Sequence, residues 1–378
     1  MKIVLLSTDD REQKKRYDLE KPIVPTPQEA LLQGLVRFPD IEVHVVSCLQ
    51  SSVTSPQKLA DNIWFHGLFV PKIGWLRTGY QGCIRAVRKK LREIQPDIVH
   101  GQGTERDCSL SAIFSGYPNV LTLHGNMRSI ARVNEARPFS FLWLAARLEQ
   151  FTLPRTNGVV AISRYTQSAV EGLTPRTWLL PNAVDQNFFA VQATPAQNEP
   201  PVGLCIGTVC HHKNQNNFIR ALAPLASERK FKIIFLGKAE PDAYGAEFFD
   251  LIKKYPWCEY AGFANRENLK NYFQKASFLT LPTLEDNCPM VVLEAMAAGV
   301  PVIASNIGGV PDLIQPEATG LLCDPQHPES FATSVRRLLD DAALSSRLAA
   351  AAKAHARNHF HPEVIARQHV EIYREVLK

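Results

Sequence analysis

The sequence predicts an α/β protein made of two doubly wound, Rossmann-like domains. Three observations carry this. Its 378 residues exceed the size at which a single hydrophobic core stops growing. Hydrophobic residues at 45% and charged residues at 21% are ordinary globular composition and exclude wholesale disorder. Short β-branched runs alternate with helical-period segments along the whole chain, the pattern of parallel sheets with crossover helices.

Taken in order, the strands expected in the first half are Ile3 to Leu6, Glu42 to Ser47, Trp64 to Val70, Asp97 to His100, Val120 to His124 and Gly158 to Ile162. Continuously apolar runs of this kind are buried on both faces. The charge-dense, glycine-free stretch from Ser7 to Pro22 reads as a solvated, mobile loop. Trp75 to Ile94 combines a basic face (Arg85, Arg88, Lys89, Arg92) with Ile84, Val87 and Leu91. It suits either a sheet-covering helix or a helix lying on an anionic membrane. Residues 1–189 thus form an N-terminal domain. A polar, Pro-rich stretch without periodicity, 190–201, reads as a linker. A second αβ series over 202–360 has strands at Val202 to Ile206, Lys232 to Leu236, Phe278 to Leu281, Val300 to Ala304 and Gly320 to Cys323. The closing helix, 361–378, is free to cross back to the first domain. Two such domains facing each other would place the carboxyl ends of both sheets at a shared cleft, where such sheets bind ligands.

Composition narrows the function. The eight cysteines are scattered without Cys-x-x-Cys pairs, so neither a disulfide framework nor a metal site is expected. No cofactor is expected either. Net charge is +6 on residues 1–190 and −1 on the rest, which directs an acidic partner, a phosphorylated substrate or an anionic membrane, to the first half. Nucleic acid is not expected, since no RRM, KH, helix-turn-helix or zinc-finger signature accompanies the charge. With neither a secretory signal nor a membrane span, the expected location is the cytoplasm, at most peripheral at the inner membrane face.

The segment richest in chemistry runs from Thr280 to Ile314. A strand leads through the polar loop Glu285, Asp286, Asn287 and Cys288 to Pro289, pre-organised for the first helical position, with Asn287 or Cys288 as cap. The helix runs to Gly299, a good stop. Its first amides, near Met290, Val291 and Val292, favour an anion such as phosphate. Glu294 stands among apolar neighbours on every side, so it needs a partner against desolvation. That partner is either a ligand hydroxyl, such as those of a ribose, or neighbouring backbone or a lysine.

This segment resembles the signature of the family 4 retaining glycosyltransferases, which have the GT-B fold of two facing Rossmann-like domains. The signature is an acidic residue, seven intervening residues, then Glu-Ala-Met-Ala-x-Gly. Here it falls on Asp286 and Glu294 to Gly299, followed by Val300-Pro-Val-Ile303, Gly308-Gly-Val-Pro-Asp-Leu-Ile314 and Thr319-Gly-Leu-Leu322. The resemblance implies that Glu294 holds the ribose of a nucleotide sugar. It also implies that Asp286 and the backbone through Val291 touch the sugar and diphosphate. The family places Glu where this chain has Asp286 preceded by Glu285, leaving open which carboxylate approaches the sugar.

The stretch Gly203 to Asn214 is a strand, a Gly207 turn and a polar loop, and resembles the family's Gly-Arg…Lys pair. Lys213 takes the lysine position and Thr208 the arginine position, so this chain keeps one of two cations on the diphosphate. His211 and His212 read as neutral loop histidines. Val120-Leu-Thr-Leu-His-Gly125 is similar to the family's His-Gly strand end, which implies that His124 contacts the donor sugar or the reacting centre. Gly158 to Thr166 and Leu180-Pro-Asn-Ala-Val-Asp185 also match, with Asn182 ordering the cleft, and the histidine of Asp97-Ile-Val-His100 is structural or functional. Tyr260 to Leu269, with Gly262 and Phe263, lies where the family reads the nucleotide base.

The implied activity is retaining, metal-independent transfer of a sugar from a nucleotide diphosphate donor, with UDP as default, to a hydroxyl of a glycan or glycolipid. Lys213, Asp286, Glu294 and His124 form the expected catalytic set, and Lys14, Lys15 and Arg16 are expected to meet acidic groups of the acceptor. A nucleotide-sugar epimerase or hydrolase on the same fold, and a non-catalytic nucleotide-sugar-binding protein, are the alternatives.

Overall fold

In the computed structural model, residues 1–194 and 200–378 are described and form two units, Met1–Ala183 with Pro362–Lys378, and Val184–His361. The division falls at Ala183 and Val184, ahead of the 190–201 stretch read as a linker. Residues 195–199 of that stretch lie outside the described residues. Gln186–Ala190 form a short 3-10 helix of the second unit, with Phe188 buried edge-on against Phe273.

The first unit holds one sheet made of β1 (Lys2–Leu6), β2 (Glu42–Leu49), β3 (Lys58–Ala60), β4 (Ile63–Phe69), β5 (Ile98–Gln102), β6 (Asn119–Leu123), β7 (Val159–Ala161) and β8 (Thr177–Leu179). Their order is β3-β4-β2-β1-β5-β6-β7-β8, parallel except for β3, which runs antiparallel to β4. Alternation along the strands builds a core on each face. Ile3, Leu5, Val43 and Val45 enter one, and Val4, Leu6, Val46 and Val99 the other.

Helices cover both faces. Gln81–Ile94 buries Cys83, Ile84, Val87, Leu91 and Ile94 in the second core. It is therefore a sheet-covering helix whose apolar side is already occupied, and only its basic side meets water. The closing helix Pro362–Val376 belongs to the first unit and packs on Thr26–Leu35, with Ile365, Ala366, Val370 and Tyr373 in the core. The approach is close enough that a Cβ at Gly34 would lie 2.0 Å from the carbonyl oxygen of Pro362.

The segment read as a mobile loop is ordered. Asp9 caps the short helix Asp10–Lys14 and pairs with Arg11, whose side chain is wholly buried. The Arg11 guanidinium also donates to the carbonyls of Leu19 and Glu20 and to Ser55 Oγ. Composition alone reads this stretch as solvated, because beyond Asp9 the partners of Arg11 are carbonyls and a serine that charge counting does not see.

The second unit holds β9 (Val202–Ile206), β10 (Lys232–Leu236), β11 (Cys258–Gly262), β12 (Phe278–Leu281), β13 (Val302–Ser305) and β14 (Leu321–Cys323). All are parallel, in the order β11-β10-β9-β12-β13-β14. The order reverses between β9 and β12, whose residues Leu204 and Leu279 are partners. At such a switch point the loops leaving two adjacent strands diverge and open a crevice. Among the described residues, no helix is long and apolar enough to cross a membrane, and the eight cysteines are buried and form no disulfide.

Candidate functional site

The two loops leaving β9 and β12 meet. After β9 the chain passes Gly207 and Thr208 into the 3-10 turn His211–Lys213. After β12, Thr283 Oγ1 donates to the carbonyl of His212 at 3.0 Å, and the Leu284 amide donates to the same oxygen at 2.7 Å. This strap brings Lys213 Nζ into an ion pair with Asp286, both side chains being partly open to solvent. A third loop holds the second from behind. The Gly309 amide donates to the Asp286 carbonyl at 2.9 Å, and a Cβ at Gly308 would lie 2.2 Å from that oxygen. With φ at +58°, position 308 suits glycine on both counts.

Asp286, Asn287 and Cys288 lead into the helix Met290–Ala298. Pro289 is the cap residue itself rather than the first helical residue, one position from the expected register, and its ring offers no acceptor to the first-turn amides. Gly299 ends the helix in the left-handed conformation, as its sequence position suggests. Thr208 is exposed, with its carbonyl accepting from Gln215. His212 sits against Cys210, and burial together with the Lys213 charge lowers its pKa, so it adds no second cation.

Glu294 is buried within that helix, 3% exposed. Arg266 Nη2 donates to its Oε1 at 3.0 Å, and the other arm of the same guanidinium lies 3.8 Å from Asp185. The partner is thus an arginine, neither backbone nor lysine. Burial outweighs the arginine and raises the Glu294 carboxyl to about 7, with Asp185 adding to the rise. Arg266 escaped sequence reading because nothing in a separation of 28 residues shows that the start of one helix reaches the middle of another.

An open pocket lies at the carboxyl ends of β9, β10 and β11, lined by Gly207, Thr208, Lys238, Phe263, Ala264 and Leu269 among others. Phe263 is 69% exposed, and Lys238 Nζ lies 5.9 Å from its ring centroid. Gly262 ends β11 at φ +72° and accepts the Gly237 amide, so it shapes the pocket without lining it. Lys238 is a further cation that the motif reading missed, since it lies in the loop after β10, the strand next to the motif.

In the first unit, His124 follows β6, its Nε2 being 2.9 Å from Gln102 Oε1 and 3.1 Å from Gln28 Nε2. Burial lowers its pKa to about 4, leaving the ring neutral. With Gln102, Thr122, Asn182 and His369 it lines a small cavity. His100 is fully buried between Tyr373 Oη and Thr122 Oγ1, each at 2.7 Å, which gives it a structural place. Lys14, Lys15 and Arg16 pair with Asp10, Glu12 and Asp18 respectively.

Family models match nearly the whole chain, Glycosyltransferase Family 4 over residues 29–188 and Glycosyl transferases group 1 over 187–355. The chain belongs to the family 4 glycosyltransferases. Among solved structures, this glycosyltransferase is similar to a sucrose-phosphate synthase from Thermosynechococcus elongatus, with TM-score 0.76, 19% identity and coverage of 100% of this chain and 99% of that one. It is also similar to the Anabaena HepE protein in complex with UDP, with TM-score 0.72, 18% identity and coverage of 99% and 100%. The two parallel-sheet units are those of the GT-B fold. An uncharacterized glycosyltransferase of Methanocaldococcus jannaschii is 26% identical over 178 residues, 47% of this chain and 46% of that protein. The chain spans less than half the length of the curated relatives it matches first.

Proposed function

We propose that this glycosyltransferase moves a sugar from a nucleoside diphosphate sugar, with UDP as the nucleotide, to a hydroxyl of a glycan or glycolipid, retaining the anomeric configuration. The observation that carries the reading is the Lys213 and Asp286 ion pair, held just ahead of a helix whose cap residue, Pro289, offers no side-chain acceptor. A diphosphate can take over the Lys213 charge while the helix start adds its amides. Asp286, released, then faces the sugar. Lys238 supplies positive charge on the Thr208 side, where the family carries arginine. Glu294 and Arg266 take the ribose hydroxyls, and the pocket beside Phe263 takes the base. The HepE structure with UDP supports a uridine nucleotide by likeness of fold.

In the reaction the bond from the anomeric carbon to the diphosphate oxygen breaks and the acceptor oxygen bonds the same carbon on the same face. The acceptor proton passes to the leaving phosphate oxygen. Lys213, Lys238 and the helix amides stabilise the charge that develops there, the electrostatic contribution that usually dominates such steps. Neutral His124 orients a sugar hydroxyl, and the exposed Lys14, Lys15 and Arg16 exchange their carboxylate partners for acidic groups of the acceptor.

The test is release of UDP from UDP-sugars, with and without a panel of glycan and glycolipid acceptors. Release that needs an acceptor and disappears in Lys213→Ala is expected. Release without acceptor would replace transfer by hydrolysis, and isomerised donor by epimerisation. UDP binding with no turnover would favour a non-catalytic role, for which Thr208 and the glycine-free loop after the first strand speak.

A further inference from the structure

Just beyond His124, the first unit carries a helical hairpin, Met127–Val133 and Phe141–Thr152, that leaves its aromatic side uncovered. No residue of the first helix is buried, and the second buries only Ala145, Glu149 and Thr152. Phe139 is 81% exposed, Val133 64% and Phe141 50%. Scattered single apolar residues on a surface need no explanation, whereas a contiguous run does.

The run has a pattern. Trp143, Arg147 and Phe151 follow at steps of four on one face of the helix, and Phe139 just before it and Arg155 in the 3-10 turn after it extend this ridge through contacts with Trp143 and Phe151. The Phe139 and Trp143 rings lie 5.3 Å apart, Arg147 stacks 5.1 Å from Trp143, and Arg155 stacks 4.0 Å from Phe151. Phe139 adopts φ +65°, a conformation that favours glycine, and its ring is not buried in exchange. Charge on the hairpin is one-sided. Arg128 is taken up by buried Glu149, which leaves Arg132, Arg137, Arg147 and Arg155 against Glu135 alone.

We infer that this aromatic and arginine ridge docks the protein on an anionic lipid bilayer. Aromatic rings with polar or cationic neighbours suit the headgroup level, and arginines there meet anionic lipid. Four exposed arginines against one carboxylate disfavour a second copy of the same surface, which would set like charges together. The other basic helix of this unit, Gln81–Ile94, offers no apolar face, because its apolar side packs on the sheet. Since the hairpin begins three residues after His124, docking would bring that end of the sheet to the headgroups, where a lipid-borne acceptor hydroxyl lies. Only this last step rests on the transferase reading.

The test is co-sedimentation of the full chain with vesicles of phosphatidylcholine alone and of phosphatidylcholine mixed with phosphatidylglycerol, at low salt. Binding to the mixed vesicles only is expected. Arg147→Glu with Arg155→Glu should weaken it at least roughly twentyfold, taking about fivefold per arginine, and Phe139→Ser with Phe141→Ser should weaken it at least as much. Arg88→Glu with Lys89→Glu on the other basic helix should leave most of it. Unchanged melting midpoints and unchanged UDP binding would show that the variants are folded. Indifference to anionic lipid, loss in the Arg88 and Lys89 variant but not in the hairpin variants, or a dimer in solution that the hairpin variants dissolve would overturn the inference.

Discussion

Two cations, Arg11 in the first unit and Lys213 in the second, each lie in a short helical turn of the connection that follows a central strand, and each pairs with an aspartate. Arg11 is fully buried, with three carbonyls and a serine completing its shell. Lys213 has one carboxylate and stays partly open, and that carboxylate lies just ahead of a helix whose cap residue, Pro289, offers no side-chain acceptor. A saturated, desolvated cation fixes a loop, whereas an unsaturated one at a helix start can exchange its partner for a ligand. Both motifs look like charge in a loop, and what separates structure from site is how many hydrogen bonds remain to be made.

The comparison breaks most visibly at Arg11. Arg11→Ala strands the buried Asp9 and should cost about 3–5 kcal/mol of first-unit stability. It should be read as a fall in denaturation midpoint with UDP affinity of the folded fraction unchanged. Lys213→Ala should do the reverse, lowering kcat/KM about 100-fold, or roughly 2.7 kcal/mol, with little change in the midpoint. If Lys213→Ala unfolds the second unit instead, the distinction fails.

Glu294→Gln sharpens the same contrast through pH. Its carboxyl is raised from an ordinary 4.5 to about 7, so between these values the folded chain holds a proton that the unfolded chain has lost. The stability this confers is present below about 4.5 and is lost as pH rises through about 7. The charged form is the better acceptor for ribose hydroxyls, so UDP affinity should rise through pH 7. Titration calorimetry should find that rise missing in Glu294→Gln, with binding about tenfold weaker at pH 8, the worth of one charge-assisted hydrogen bond. Asp286→Asn, which releases Lys213, should tighten UDP a few-fold while slowing transfer about tenfold. The smallest effect is expected from changing Lys14, Lys15 and Arg16 to Ala together. A two- to threefold rise in acceptor KM, suppressed by salt, fits weak exposed pairs, and an unaltered KM would remove these residues from the acceptor site.

Legibility followed burial. The central strands were readable because both their faces are apolar, while β3, β8 and β11 escaped because each is an edge strand, half-exposed and short of a continuous apolar run. At the candidate site, Asp286, Glu294, Lys213 and Gly299 could be named from the motif, since helix starts, stops and buried carboxylates leave local marks. Arg266 and Lys238 could not. Each comes from a neighbouring element, and which loops converge at a switch point depends on strand order.

By itself the sequence determined the two αβ series, the family, a helix starting near Pro289 and the positions of Asp286 and Glu294, because each is written in spacing along one stretch of chain. Only the tertiary structure decided which charges are spent and which remain available. It closed Arg11 and His100 inside the first unit, set Lys213 against Asp286 and Arg266 against Glu294, and left the ridge from Phe139 to Arg155 in solvent. The physical reason is that pairing and burial belong to residues far apart in sequence, whose meeting is fixed by how strands order and helices pack rather than by any local pattern.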